Sequence, residues 1–109
     1  EKMSAAILDR LMADIAEKAQ SDPSESYTAS LIAAAPDKPL RKLSEEVTEA
    51  LIEAMRGDSA ALARESADIL YHLLVVWQAA GVKAENVWQI LAERRGVSGL
   101  VEKANRTGQ

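Results

Sequence analysis

Cysteine and phenylalanine are absent from this 109-residue chain, which has only one histidine, two tryptophans and two tyrosines. Without cysteine there is no disulfide scaffold, no thiolate zinc site and no thiol nucleophile. One histidine cannot build an all-histidine metal site within a single chain. No apolar run approaches the ~20 residues needed to cross a bilayer, so a membrane is not an expected partner. The first residues lack the basic-then-apolar pattern of a secretory signal, and a cytoplasmic location is the expectation. Basic residues are the minority among charges: 13 Lys and Arg against 17 Asp and Glu give a net charge of −4. That balance argues against binding the phosphate backbone of a nucleic acid.

Glycine and proline are also sparse, five and three, and they punctuate the chain rather than interrupt its periodic stretches. Between them the composition is rich in Ala, Leu, Glu, Lys and Arg, with 20 alanines, which favours helix. No alternating run is long enough for a strand. Ile7, Leu8, Leu11, Met12 and Ile15 keep helical spacing and predict a helix over about 4–18. Asp22-Pro23-Ser24-Glu25 reads as the start of a short helix carrying Tyr27, Leu31 and Ile32, with Asp22 as its N-cap and Pro23 at N1. A break at 35–39 follows. A long helix over about 40–56 ends at Gly57, and Asp58 or Ser59 caps the next, which reaches Ala80 and stops at Gly81. A further helix covers about 84–95. The expectation is one domain over 1–109, an all-α bundle of four to five helices with short connections.

The acids are unevenly placed. Seven of the 17 lie between positions 45 and 68: Glu45, Glu46, Glu49, Glu53, Asp58, Glu65 and Asp68. Glu45 and Glu49 are a like-charge i, i+4 pair with no interleaved base, an arrangement that calls for a compensating cation. At about 100° per residue, Leu43, Val47, Ala50, Leu51 and Ala54 form one apolar stripe, and Glu46, Glu49 and Glu53 line one shoulder of it. Glu45 points further toward solvent. In the following helix Glu65, Asp68 and His72 form one polar seam beside Leu62, Ile69, Leu73 and Val76, while Leu70, Leu74 and Trp77 widen the apolar arc. A tight Gly57-Asp58 turn makes the two helices antiparallel neighbours. Glu46 and Glu49 then come level with Glu65 and Asp68, and four carboxylates are expected to converge. Such an oxygen-only cluster suits Mg²⁺ or Mn²⁺, hard cations that commonly bring substrate phosphates with them.

Glu45-Glu46-Val47-Thr48-Glu49 followed by Glu65-Ser66-Ala67-Asp68 resembles the paired EExxE and ExxD motif of the MazG-like all-α nucleoside triphosphate pyrophosphohydrolases. Ser26-Tyr27-Thr28-Ala29, the string from Glu65 to Leu74, and Arg94-Arg95-Gly96-Val97-Ser98-Gly99-Leu100 with Glu102-Lys103-Ala104 are similar to the phosphoribosyl-ATP pyrophosphohydrolase family within that superfamily. The likeness runs from about Leu8 to Arg106. It implies Mg²⁺-dependent hydrolysis of the α–β phosphoanhydride of phosphoribosyl-ATP, a step of histidine biosynthesis, by a homodimer that shares helices between subunits. It also implies Glu46, Glu49, Glu65 and Asp68 as metal ligands, with Mn²⁺ able to substitute. Among Glu45, Glu46 and Glu49 it places the group that orients or deprotonates the attacking water.

Two departures stand out. Ser44 occupies a position where the family commonly has Gly, and the 35–40 segment carries two prolines where a Gly-containing loop is usual. Both bear on substrate affinity more than on metal binding. A triphosphate needs cationic partners besides one metal, and Lys42 and Arg95 are the candidates, with Lys38, Arg41, Arg94, Lys103 and Arg106 also in the pool. His72, one turn after Asp68, is a further candidate for substrate contact. Two alternatives stay open at this point. One is a house-cleaning dNTP or NTP pyrophosphohydrolase of the same superfamily. The other is a non-catalytic helical dimerisation module whose acids are only a solvated face.

Overall fold

The computed structural model describes residues 4–96. It contains α1 (Ile7–Lys18), α2 (Tyr27–Ala33), α3 (Asp37–Arg56), α4 (Ser59–Ala80) and α5 (Ala84–Arg94), and among the described residues there is no strand. The all-α reading holds. The Arg106 end of the family likeness, the late bases Lys103 and Arg106 and the Ser98-Gly99-Leu100 string lie outside the described residues.

The helix ends follow from local chemistry. Gly57 (φ 75°) and Gly81 (φ 76°) terminate α3 and α4 in the left-handed region, where a side chain is costly. Asp58 caps α4 by accepting from the Ala61 N–H at 2.9 Å. Two sequence expectations need correction. Asp22 does not cap α2: its Oδ1 accepts from the Ser24 N–H (2.9 Å) and Ser24 Oγ–H (2.8 Å), closing a turn. Ser26, in extended conformation, is the cap instead, its Oγ accepting from the Ala29 N–H at 3.1 Å. The break expected over 35–39 is also shorter. After a cis Ala35–Pro36 bond, α3 begins at Asp37 with Pro39 inside its first turn, where a missing N–H leaves no helical hydrogen bond unmade.

α3 and α4 form an antiparallel hairpin with the most extensive contact in the fold. The apolar core lies on the other side of α4: Ile15 of α1, Leu31 of α2, and Leu74 and Val75 of α4 are each 1% exposed or less. Leu8, Leu11, Met12, Ile32, Tyr71 and Trp77 pack around them. Trp88 ties α5 to this unit, its ring perpendicular to Trp77 and its Nε1–H donating to Asp9 at 2.9 Å. The stripe expected on α3 is only partly covered. Ala50 is buried, whereas Val47 and Leu51 are exposed, and Met55, one turn beyond Leu51 at the edge of that stripe, is 89% exposed. A single chain therefore fills the α1–α2–α4 core and leaves one apolar face of α3 uncovered.

Candidate metal centre

The α3–α4 hairpin brings Glu46, Glu49 and Glu65 together, with a carboxylate oxygen from each within 4.8 Å of the others. Helical phase explains the grouping. Glu46 and Glu49 are one turn apart on the shoulder of α3 that faces α4, and Glu65 meets them about as far beyond the Gly57 turn as they lie before it. Glu46 and Glu65 are half-buried and Glu49 is exposed. Glu65 Oε2 is enclosed by protein and has no hydrogen-bond partner. Burial pushes the Glu65 carboxyl up, and the approach of the Glu49 and Glu46 carboxyls raises it further, to about 7. A carboxyl in this position retains a proton near neutrality or gives it up to a cation. Three converging carboxylates, one with an orphaned oxygen, fit a hard divalent ion, whose charge would offset their repulsion and occupy that oxygen.

The remaining acids of the motif take other places. Asp68 is exposed and stands outside this trio, one turn beyond Glu65 and rotated about 60° from it. Its carbonyl oxygen, rather than its carboxylate, is engaged, receiving a hydrogen bond from His72 Nδ1 at 2.9 Å. Glu45 is exposed and pairs with Lys42, Oε1 to Nζ at 3.4 Å. That pairing, with further contributions from Tyr27 and Glu46, raises the Lys42 ammonium above its usual range. Glu53 shares a shoulder with Glu46 and Glu49 but faces Arg56 at 3.9 Å.

His72 is 6% exposed, and its ring stands perpendicular to those of Tyr71 and Tyr27, at 5.0 and 6.4 Å. Because a carbonyl can only accept, the short contact to Asp68 puts the proton on Nδ1. Nε2, an acceptor in the neutral ring, is buried and without a partner. Arg95 is exposed at the boundary following α5 and makes no ion pair among the described residues. The structure thus gathers Glu46, Glu49 and Glu65, keeps Lys42 and Glu45 beside them, sets His72 further along α4, and does not bring Asp68 into the trio.

A feature passed over in the sequence lies beside His72. Lys18, Glu25, Ser26, Tyr27, Thr28 and Tyr71 line a hollow of about 530 Å³. Tyr71 and Thr28 are joined through their hydroxyls at 2.5 Å. The only local signal was the Ser26-Tyr27-Thr28 string, since Lys18 and Tyr71 are remote from it in sequence.

Known proteins resemble this chain over nearly its whole length. The phosphoribosyl-ATP pyrophosphohydrolase family profile matches residues 8–95. A phosphoribosyl-ATP pyrophosphatase of Azospirillum brasilense is 50% identical over 106 residues, covering 97% of this chain and 96% of its own. One from Cereibacter sphaeroides is 48% identical, covering 92% of this chain and 97% of its own. One from Granulibacter bethesdensis is 46% identical over 92% of this chain and 62% of its own. The match spans the whole α3–α4 hairpin and its acidic motif, and the chain belongs to the phosphoribosyl-ATP pyrophosphohydrolase family.

Proposed function

We propose that this chain hydrolyses phosphoribosyl-ATP to phosphoribosyl-AMP and pyrophosphate, the histidine-biosynthetic step named for its relatives, with Mg²⁺ as cofactor and Mn²⁺ able to replace it. The observation that carries this reading is the meeting of Glu46, Glu49 and Glu65 within 4.8 Å in a chain of this family. Water adds to the α-phosphorus, the bond from that phosphorus to the α–β bridging oxygen breaks, and pyrophosphate leaves. A bound divalent ion supplies charge neutralisation on the phosphate oxygens and a more acidic water.

The protein groups divide the remaining work. Glu46, Glu49 and Glu65 would hold the ion, and Asp68, exposed one turn beyond Glu65, would complete the set with phosphates bound. Of the three EExxE carboxylates, Glu45 is the one outside the trio, able to take the proton of the attacking water. Lys42 is held by a partly exposed pair, an interaction of modest strength, and is available to a phosphate oxygen. Arg95 is the second phosphate contact in this proposal, and His72 a further contact to the substrate.

A homodimer belongs to the same proposal. Leu40, Val47, Leu51 and Met55 leave an exposed apolar strip along α3, with Leu70 of α4 and Ile90 and Leu91 of α5 also exposed. A second copy is the partner that would cover it. No helix among the described residues is long and apolar enough to cross a membrane. Cytoplasmic placement is part of the proposal and rests on the biosynthetic chemistry.

Incubation with phosphoribosyl-ATP and Mg²⁺, followed by phosphorus NMR, tests the activity. Pyrophosphate and phosphoribosyl-AMP are expected. Orthophosphate release, no turnover, or faster turnover of ordinary dNTPs in a substrate panel would overturn it.

A further inference from the structure

We propose that the hollow bounded by Lys18, Glu25, Tyr27 and Tyr71 receives the second sugar phosphate of the substrate, the part that phosphoribosyl-ATP carries and ATP lacks. This rests on the activity proposed above and assigns a selectivity site to it. The hollow, about 530 Å³, lies between the C-terminal turn of α1, the start of α2 and the middle of α4.

Position is the first argument. Tyr27 borders the hollow and also faces the acidic hairpin. Its ring lies 6.0 Å from Lys38 Nζ, and Lys42 is within electrostatic reach of both Tyr27 and Glu46. Along α4, His72 shares the face of Glu65 two turns on, a rise of about 10 Å. A nucleotide held by its phosphates at the trio therefore extends past Lys42 and His72 toward Tyr27 and Tyr71.

Chemistry is the second. A ribose phosphate presents hydroxyls and a dianion. The Lys18 ammonium has no ion pair among the described residues and suits the dianion. The Glu25 carboxylate can accept from ribose hydroxyls but would repel a phosphate placed against it, so the phosphate belongs at the Lys18 end. Tyr27 is 51% exposed and, stacked on Tyr71, gives the hollow an aromatic wall for a sugar or base.

The third argument is independent of the hollow. His72, flanked by both tyrosines and 94% buried, holds an acceptor at Nε2 with no partner. With Nδ1 donating to the Asp68 carbonyl, Nε2 of the neutral ring can accept from a sugar hydroxyl.

The test compares the full-length protein with Lys18→Gln, an exposed change that leaves the core alone. The KM for phosphoribosyl-ATP should rise about tenfold or more, the loss expected for one charge-assisted contact. The ATP concentration that inhibits turnover should stay within about twofold, because ATP lacks the second sugar phosphate. Equal weakening of both ligands, or none, overturns the assignment. Ribose 5-phosphate alone provides a readout that needs no turnover. It should shift the NMR signals of Thr28 and Tyr71 in wild type and not in Lys18→Gln, and an absence of shifts in wild type also overturns the assignment. If ribose 5-phosphate binds there but phosphoribosyl-ATP is not cleaved, the activity fails and the site stands.

Discussion

Glu65 of α4 meets Glu49 of α3 across the hairpin, with carboxyl oxygens within 4.8 Å, and it is the approach of Glu49 and Glu46 together with burial that leaves Glu65 half-protonated near pH 7. Two acids placed in this way are unfavourable for the fold without a cation and favourable for holding one.

The pH dependence of stability follows with a definite sign. The folded carboxyl titrates at about 7, above its ordinary 4.5, so between those values the folded chain keeps a proton that the unfolded chain has released. The Glu65 contribution is fully present below pH 4.5 and is lost as pH rises through 7. In chelator, the wild-type denaturation midpoint relative to that of Glu65→Gln should fall between pH 5 and pH 8. A difference that is flat or rises with pH would contradict the geometry. Mg²⁺ should remove most of the difference at pH 8, and its binding near pH 6.5 should release protons, measurable by calorimetry in buffers of different ionisation enthalpy.

Glu49→Gln should lose about 100-fold or more in kcat/KM while remaining folded, because it removes a metal-binding carboxylate from an exposed position. Its metal-free form should be at least as stable as wild type, since a like charge beside Glu65 is gone. Asp68→Asn should lose activity too, with Mn²⁺ affinity below that of wild type when product is bound and close to that of wild type when it is absent. Titration with Mn²⁺, with and without product, distinguishes the two variants. Full activity in either would remove that residue from the site.

The exposed strip on α3 predicts association. Leu51→Glu combined with Met55→Glu, at positions 63% and 89% exposed, should shift the protein toward monomer in sedimentation while its helical circular dichroism is retained. An unchanged sedimentation profile would separate this strip from any interface.

The core should respond as a packed unit. Leu31→Ala, at a side chain with no exposure, should cost about 2–5 kcal/mol in urea denaturation. Ser26→Ala should cost about 1 kcal/mol through loss of the α2 cap. Asp22→Ala should cost less, because Asp22 holds only an exposed turn.

Periodicity and turn residues were enough to read a bundle of four to five helices and the α3–α4 hairpin at Gly57 from the sequence, because each is encoded within a few turns of chain, and the acidic motif with its flanking strings was enough to read the family. The same spacing identified the shoulder carrying Glu46, Glu49 and Glu53 and the seam carrying Glu65, Asp68 and His72, and led to the expectation that four carboxylates, Asp68 among them, converge. It could not tell Ser26 from Asp22 as a cap, since both residue types bind free N–H groups and only backbone conformation separates them. Nor could it say which acids touch. Helical phase gives a direction around one axis, whereas the offset and rotation of two packed helices decide that Glu65 joins Glu46 and Glu49 while Asp68 stays outside. Tertiary structure alone also buried Glu65 Oε2 and His72 Nε2, left the α3 strip uncovered, and joined Lys18, Tyr27 and Tyr71 around one hollow. Those outcomes depend on three-dimensional burial by segments distant in sequence, and burial is what turns an ordinary glutamate into one that titrates near neutrality.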